Sequence, residues 1–271
     1  MQPQYSVPIK DFLHSTTGAA ASLFLPPIKK FAILSSGRSG SNLLISLLKS
    51  HSKIFQHGEI FGEFQLESPL VRRRINQAGV CAYLDRRLSR LTTEQISGVK
   101  ILYNNIEPRY GDVRGIPGTG DLLEHLQANS SIRIIQLRRQ DKLALLISMR
   151  LANALQQWVS GSYGNKTVHM SVEWVHEQLT WLEAWESRIV ETFPEDRLFQ
   201  MTYETLAANT QDEMHRLFAF LGIEPAPVHT RMSKQNTRSK SEVIENYDEL
   251  REAFHGTSYA SLFSEELPPS G

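Results

Sequence analysis

Four short apolar runs recur along the chain between polar segments. They are FAILSS (31–36), GVKILY (98–103), IRIIQL (132–137) and RLFQMT (197–202). The apolar residues of these runs follow one another rather than alternating with polar ones, which is typical of strands buried on both faces of a sheet. Each run is therefore predicted to be a strand of a mainly parallel sheet.

Segments with helical periodicity lie between and after these strands. They cover residues 42–50, 80–97, 141–159, 172–192 and 207–221. Asp141 is placed to cap the third helix, and Gly222 with the nearby Pro225 is placed to end the last. Strands that alternate with helices predict right-handed βαβ crossovers. The expected fold class is α/β with three layers, in which helices cover both faces of a mainly parallel sheet.

The remaining segments define the expected domain organisation. Residues 104–121 and 160–171 are polar and without a regular pattern, so they are predicted to be loops that carry ligand contacts. The chain is expected to fold as a single domain, 1–271. Residues 1–30 are predicted to be an N-terminal arm, and residues 225–271 a C-terminal segment that returns over the same domain.

Composition narrows the class of partner. Hydrophobic residues make up 41% and charged residues 21%, ordinary values for a globular protein. Lys plus Arg and Asp plus Glu both number 29, so no net charge favours a nucleic acid or a membrane surface. The apolar stretch near the N-terminus is far below the roughly 18 residues that span a bilayer. The chain is expected to be cytoplasmic, with no nucleic-acid partner and no membrane insertion, and its oligomeric state stays open.

Cysteine and histidine usage predicts neither a disulfide nor a metal site. Cys81 is the single cysteine, so an intrachain disulfide cannot form. The nine histidines form no pair with the spacing of zinc ligands.

The segment SSGRSGSN (35–42) follows the first predicted strand and opens a helix. Backbone N–H groups at such a helix N-terminus attract anions, and Gly37 and Gly40 allow close approach. Arg38 stands in the middle of the loop, and the Lys-Ser or Lys-Thr pair that holds a nucleotide triphosphate and magnesium is absent. The loop also offers polar side chains on Ser39, Ser41 and Asn42. This pattern predicts a P-loop-like site for a phosphate compound other than a nucleotide triphosphate. Residues 35–42 are called the phosphate loop.

A second basic position lies about a hundred residues further on. Arg139 follows the third predicted strand, and Ser148 lies on the helix that comes next. Ligands of open α/β sheets bind beyond the carboxyl ends of the strands, where Arg139 is expected. An arginine and a hydroxyl that converge there are suited to a second phosphate.

These motifs together resemble a known family. SSGRSGSNLL, GVKILY, LRRQDKLALLIS and TYETL…LFAFLGI occur in the order seen in sulfotransferases that use 3'-phosphoadenosine 5'-phosphosulfate (PAPS), most closely the bacterial enzymes acting on small molecules and glycolipids. The resemblance runs from about residue 31 to residue 255. It implies in-line transfer of a sulfuryl group from PAPS to a hydroxyl or amine of a small-molecule acceptor, such as a specialised metabolite, a glycolipid or an oligosaccharide. The product nucleotide would be 3'-phosphoadenosine 5'-phosphate (PAP), with no metal required.

The resemblance also implies roles in nucleotide binding. The 3'-phosphate would be held by Arg139 and Ser148, and Tyr203 would lie near the adenine. Lys234 would contact the nucleotide from the C-terminal segment folded over the site, with Arg231 and Arg238 as competitors for that role. Leu43 stands where cytosolic relatives carry an aromatic that stacks on adenine. The 5'-phosphosulfate would be held by Gly37, Arg38, Ser39, Gly40, Ser41 and Asn42.

Catalysis requires stabilised charge and a base. Arg38 would stabilise the leaving phosphate as a fixed positive charge, and Lys100 could act on the sulfuryl oxygens. The segment IFQHGEIFGEF offers three candidate bases. Glu59 has the Gly-Glu context found in bacterial relatives, while Glu63 and His57 stay open as alternatives.

Two other functions are compatible with a phosphate loop. One is a P-loop kinase or other NTPase, which the absent Gly-Lys-Ser/Thr motif disfavours. The other is a catalytically silent nucleotide-binding protein. This function is disfavoured because the candidate site residues are all present: Arg38, Arg139, Ser148 and Glu59. Stabilisation by PAP without magnesium would separate the sulfotransferase from the kinase.

Overall fold

The computed structural model describes residues 27–89, 95–107, 119–157, 163–232 and 238–264. Five strands of these residues form one sheet in the order β2-β3-β1-β4-β5, and all neighbouring pairs are parallel. This confirms the predicted α/β class with its parallel sheet. The strands are β1 (Lys29–Ser35), β2 (Ile54–Glu59), β3 (Ile96–Leu102), β4 (Ile132–Arg138) and β5 (Leu198–Thr202).

Helices connect and flank the strands. Those before β4 are α1 (Ser41–Lys49), α2 (Glu63–Leu66), α3 (Pro69–Ala78), α4 (Val80–Arg87), α5 (Tyr103–Ile106) and α6 (Asp121–Ala128). Those after β4 are α7 (Lys142–Leu155), α8 (Val172–Thr192), α9 (Tyr203–Ala208), α10 (Thr210–Leu221), α11 (Lys240–Val243), α12 (Tyr247–Ala253) and a 3₁₀ turn at Ala260–Phe263. None of these helices combines the length and apolar character that crossing a bilayer requires.

Two apolar clusters cover the two faces of the sheet. The first packs α3, α4, α6 and the second half of α8 against residues such as Leu34 and Ile134. The second packs α1 and α10 against the opposite face, at residues such as Ile33 and Ile135. Neighbouring residues of a strand point to opposite faces, so β1 and β4 are buried on both sides, as their consecutive apolar residues predict.

A third cluster fixes the C-terminal segment. It joins α7 and the first half of α8 to α11, α12 and the 3₁₀ turn, with Phe254 and Phe263 buried in it. Val168 forms an isolated parallel bridge with Ile244. Tyr247 begins α12, and its ring packs in the same cluster.

The sequence located most elements but misjudged one helix and missed one strand. The four predicted strands are observed within two residues of their predicted bounds, and the helix predicted at 172–192 coincides with α8. The prediction of a helix over 80–97 is wrong, because α4 ends at Arg87 and Ile96 begins β3. Every residue of β3 is buried between β1 and β2, so burial in the sheet determines this conformation.

The predicted caps are confirmed, but the predicted loops change. Asp141 accepts a hydrogen bond from the Ala144 backbone N–H at 3.0 Å, and Gly222 ends α10 in the left-handed conformation. The loop prediction for 104–121 is wrong at both ends, since α5 and α6 enter that range; residues 108–118 lie outside the described residues. The last two residues of the predicted N-terminal arm, 29 and 30, belong to β1, and residues 1–26 of that arm lie outside the described residues.

Candidate functional site

The loop between β1 and α1 has the backbone geometry of an anion site. Arg38 and Gly40 both adopt positive φ angles, 65° and 91°, and Gly40 forms the N-cap of α1. A positive φ is uncommon for a residue other than glycine and is found where a local structure imposes it. Positive φ angles are found in loops whose successive N–H groups face an anion, so this backbone geometry is compatible with a phosphate.

The polar side chains of this loop serve different purposes. Ser39 is fully buried and donates to the Ser36 carbonyl at 2.9 Å, so its hydroxyl braces the loop. Ser41 is also buried, at the first position of α1. The side-chain oxygen of Asn42 accepts from Lys100 Nζ at 3.1 Å, which ties the loop to β3. Leu43 is partly buried and packs against the second apolar cluster.

The guanidinium of Arg38 is held by two hydroxyl groups. Its Nε donates to Ser148 Oγ at 3.0 Å, and its Nη2 donates to the Tyr163 hydroxyl at 2.6 Å. Burial lowers the pKa of Arg38 from its ordinary value, Tyr163 raises it and the nearby Arg139 lowers it. Arginine stays protonated under all these influences, so the loop carries a fixed, partly buried positive charge.

Arg139 and Tyr203 stack beside the loop. The guanidinium carbon of Arg139 lies 5.0 Å from the centre of the Tyr203 ring, within the range of a cation–π interaction. Arg139 Nη1 also donates to the Arg38 carbonyl at 3.4 Å. The Tyr203 ring covers Gly40 so closely that a Cβ atom at Gly40 would lie 2.4 Å from it. Arg139, Tyr203 and the loop therefore form one contiguous cluster.

The next residue, Glu204, braces the same region. Its two carboxylate oxygens accept from the backbone N–H groups of Gln140 and Asp141, at 3.0 and 3.2 Å. The start of α9 thus supports the phosphate loop through Tyr203 and the turn after Arg139 through Glu204. Tyr203 and Glu204 of the YETL motif therefore stabilise the backbone around both Arg38 and Arg139.

Glu59 and Lys100 form an ion pair next to the loop. Lys100 Nζ lies 2.8 Å from a Glu59 carboxylate oxygen; the lysine side chain is 7% exposed and that of Glu59 26%. The pair is made by a bulge in β2, because Gln56 pairs with Gly98 while Glu59 pairs with Lys100. Gly58 lies in this bulge with φ 77°, and its N–H donates to the Gln56 side chain at 2.9 Å. Bulges near active sites often redirect a side chain, and here the bulge brings a carboxylate to the lysine.

The other two candidate bases differ from Glu59. The His57 ring lies 3.3 Å from Ser97 Oγ and makes an edge contact with Phe55. Ser97 precedes Lys100 by three residues, which corresponds to roughly 10 Å along the strand. Because Lys100 contacts Asn42 of the loop, His57 lies farther from the loop than Glu59 does. Glu63 begins α2, and its side chain lies outside what the structure describes.

The basic candidates of the C-terminal segment have different surroundings where the structure describes them. Lys234 lies outside the described residues, and Arg231 is exposed. Arg238 donates to the Lys166 carbonyl at 3.0 Å and to the Glu242 carbonyl, so it holds backbone together. Lys240 pairs with Asp141 at 3.1 Å and thereby ties the segment to the start of α7.

Sequence reasoning missed Tyr163, although its segment was expected to carry ligand contacts. The SGSYG pattern gives no sign that this tyrosine is buried or that it reaches Arg38, 125 residues away. Among the described residues, no group of three histidine, cysteine or acidic side chains could hold a metal ion. The polar groups that meet at the carboxyl edge of the sheet are instead suited to an anionic ligand.

Comparison with known proteins found a matching family model and several similar proteins. A model of the sulfotransferase family matches residues 123–227. Nodulation protein H of Rhizobium tropici is 26% identical over 252 residues, which cover 88% of this chain and 94% of that protein. Nodulation protein H of Rhizobium meliloti is 23% identical over 248 residues, with 88% of this chain and 96% of that protein covered.

The fold has a counterpart among solved structures. A sulfotransferase from Alicyclobacillus acidocaldarius superposes with a TM-score of 0.51 and 14% identity, covering 85% of this chain and 92% of that one. At this identity the likeness concerns the fold alone.

Proposed function

Because this chain belongs to the sulfotransferase family and is a sulfuryl-transferring enzyme, we propose that its donor substrate is PAPS and that the Arg38 loop binds it. We further propose that the acceptor is a hydroxyl or amine of a small molecule. One observation carries this proposal: the Glu59–Lys100 ion pair directly adjoins the phosphate loop through Asn42.

The loop fits the phosphosulfate end of such a donor. Arg38 and Gly40 have positive φ angles, as in loops that turn backbone N–H groups toward an anion, and a Cβ placed on Gly37 would meet no atom within 4 Å. Arg38 and Lys100 supply positive charge at the two sides of the loop. Arg139 is the candidate for the 3'-phosphate because its guanidinium lies at the strand end beside Arg38.

The proposed reaction exchanges one bond to sulfur for another. The acceptor oxygen or nitrogen forms a bond to sulfur, and the bond between sulfur and the bridging oxygen of the 5'-phosphate breaks. The electron pair of the broken bond stays on that oxygen, which leaves as part of PAP. The acceptor proton passes to a base, so the products are the sulfated acceptor, PAP and a proton.

Arg38, Lys100 and Glu59 have different roles in the proposed transfer. Arg38 offsets the charge that develops on the leaving phosphate, since a preorganised positive charge acts without rearranging during the reaction. Lys100 is suited to the sulfuryl oxygens because it is buried beside Asn42. Glu59 is the proposed base, as its partly exposed carboxylate lies on the lysine and can reach an acceptor from the solvent side.

A labelling experiment tests the proposal. The purified chain is incubated with sulfur-labelled PAPS, a panel of hydroxyl and amine acceptors, and a chelator of divalent cations. We expect label in an acceptor product and an equal amount of PAP, both lost in Arg38→Ala. A parallel reaction holds phosphate-labelled ATP and magnesium, without the chelator. Label transfer in that reaction, with none from PAPS, would favour a kinase and contradict the proposal. PAP binding without transfer to any acceptor would favour a silent nucleotide-binding protein.

A further inference from the structure

Tyr163 is buried at the edge of the site, yet it belongs to none of the motifs of the phosphate loop. It is 4% exposed, and its ring lies in the apolar cluster that joins α7, α8 and the C-terminal segment. Its hydroxyl accepts from Arg38 Nη2 at 2.6 Å. A buried tyrosine needs a partner for its hydroxyl, and here the loop arginine is such a partner.

The hydrogen bonds from Arg38 to Ser148 and Tyr163 help to determine how its guanidinium is oriented. Nε donates to Ser148 and Nη2 donates to Tyr163, and these two nitrogens form one edge of the planar group. Two hydrogen bonds to one edge fix both the plane and its rotation, which one bond cannot do. Ser148 and Tyr163 together therefore constrain the direction in which the rest of the guanidinium points.

The segment that carries Tyr163 is fastened to the C-terminal part of the chain. The Val168 N–H donates to the Val243 carbonyl at 2.9 Å, and the Glu245 N–H donates to the Val168 carbonyl at 3.0 Å. Arg238 adds a bond to the Lys166 carbonyl at 3.0 Å. The backbone just after Tyr163 is therefore held on one side by residues 238–245.

We propose that Tyr163 is a positioning residue for sulfuryl transfer, which orients Arg38 toward the donor, and that residues 238–245 set its position. The inference rests on the proposed function of Arg38. Small displacements of a positioned charge reduce catalysis strongly, so the contribution of Tyr163 is made through Arg38 rather than by contact with the reacting atoms.

Tyr163→Phe tests this with the ring retained. We expect kcat to fall about tenfold with the acceptor KM unchanged, because Arg38 loses a hydrogen bond that orients it. Calorimetry should show PAP binding about threefold to tenfold weaker, since the charge that the nucleotide meets is less well placed. Tyr259→Phe is the matched control: Tyr259 lies against the same cluster, its hydroxyl bonds Glu183 at 2.8 Å, and it should keep wild-type values.

A double-mutant cycle with Arg38→Lys separates positioning from general destabilisation. Lysine lacks the two-nitrogen edge, so Tyr163→Phe should change the turnover of Arg38→Lys less than about twofold. Losses that multiply in the double variant would overturn the inference. If Tyr163→Phe does not fold, Arg238→Gln provides the second test, with a smaller fall in kcat and the same dependence on Arg38.

The outcomes distinguish this inference from the function on which it rests. Loss of transfer in Arg38→Ala with wild-type kcat and PAP affinity in Tyr163→Phe would overturn the inference alone. Unchanged transfer and PAP binding in Arg38→Ala would overturn the proposed function of the loop.

Discussion

Arg38 donates its Nε–H to Ser148 Oγ at 3.0 Å, a contact between residues 110 positions apart in the chain. Sequence reasoning assigned Arg38 to the 5'-phosphosulfate and Ser148 to the 3'-phosphate. The contact makes the residues of the two proposed phosphate positions neighbours, and Arg139 donates a hydrogen bond to the Arg38 carbonyl. The hydroxyl is a neutral acceptor, so it holds Arg38 without cancelling its charge, and anionic oxygens would bind the same guanidinium more strongly.

Arg139→Gln tests the assignment of the 3'-phosphate. Hydrogen bonds to charged groups contribute about 1.5–3 kcal/mol, so PAP affinity should fall roughly tenfold to a hundredfold. Adenosine 5'-phosphate lacks the 3'-phosphate, and its affinity should change much less. Calorimetry with both nucleotides removes any common effect of losing the contact with Tyr203. An equal loss for both nucleotides would exclude Arg139 from 3'-phosphate recognition.

Glu59→Gln tests the proposed base. General-base catalysis contributes about 10²–10⁴-fold, so turnover should fall by that factor while PAP binding stays nearly unchanged. The amide keeps a hydrogen-bond acceptor for Lys100 but cannot take a proton. Glu63→Gln and His57→Ala are the comparison variants, and each should retain most of the turnover. Wild-type turnover in Glu59→Gln, together with a large loss in Glu63→Gln or His57→Ala, would show that the base is Glu63 or His57 and not Glu59.

Gly58→Ala tests whether the bulge in β2 positions Glu59. Its φ of 77° costs a residue with a Cβ roughly 1–2 kcal/mol, which the strand can relieve by losing the bulge. Glu59 would then no longer pair with Lys100, and turnover should fall at temperatures where the protein remains folded. Gly79→Ala is the control, because it has φ 83° between α3 and α4 and should lose stability alone. Equal turnover in the two variants would argue against a role of the bulge.

Gly40→Ala tests the close contact between the loop and Tyr203. The new Cβ would lie 2.4 Å from the tyrosine ring at a backbone φ of 91°, so both loop and ring must move. We expect a lower melting temperature and PAP binding too weak to measure. Gly37→Ala, which meets no atom within 4 Å, should melt within about 2 °C of the wild type. Retained PAP binding in Gly40→Ala would show that the loop tolerates the rearrangement.

The sheet was readable from the sequence wherever burial produces continuous apolar runs. β1 and β4 satisfy this condition because each has a neighbour on both sides and helices on both faces. β2 is an edge strand with Gln56, His57 and Gly58 in succession, and its bulge breaks the period of two. No strand was therefore predicted for this segment, although its three candidate bases were named.

The contacts of the site were less accessible to sequence reasoning than its residues. Local signals located the loop, and Asp141 was correctly predicted to cap α7. The pairing of Glu59 with Lys100 depends on the register of two strands, and the contact of Tyr163 with Arg38 depends on tertiary packing. No local pattern encodes either distance, so only the folded chain reveals them.

Nucleotide-dependent thermal stability tests the central claim most directly. PAP at a hundred times its dissociation constant should stabilise the fold by about 2.7 kcal/mol, which corresponds to roughly 5–10 °C in melting temperature. The shift should persist in the presence of a chelator and be lost in Arg38→Ala. A melting temperature unaffected by PAP, but raised by ATP together with magnesium, would contradict the account.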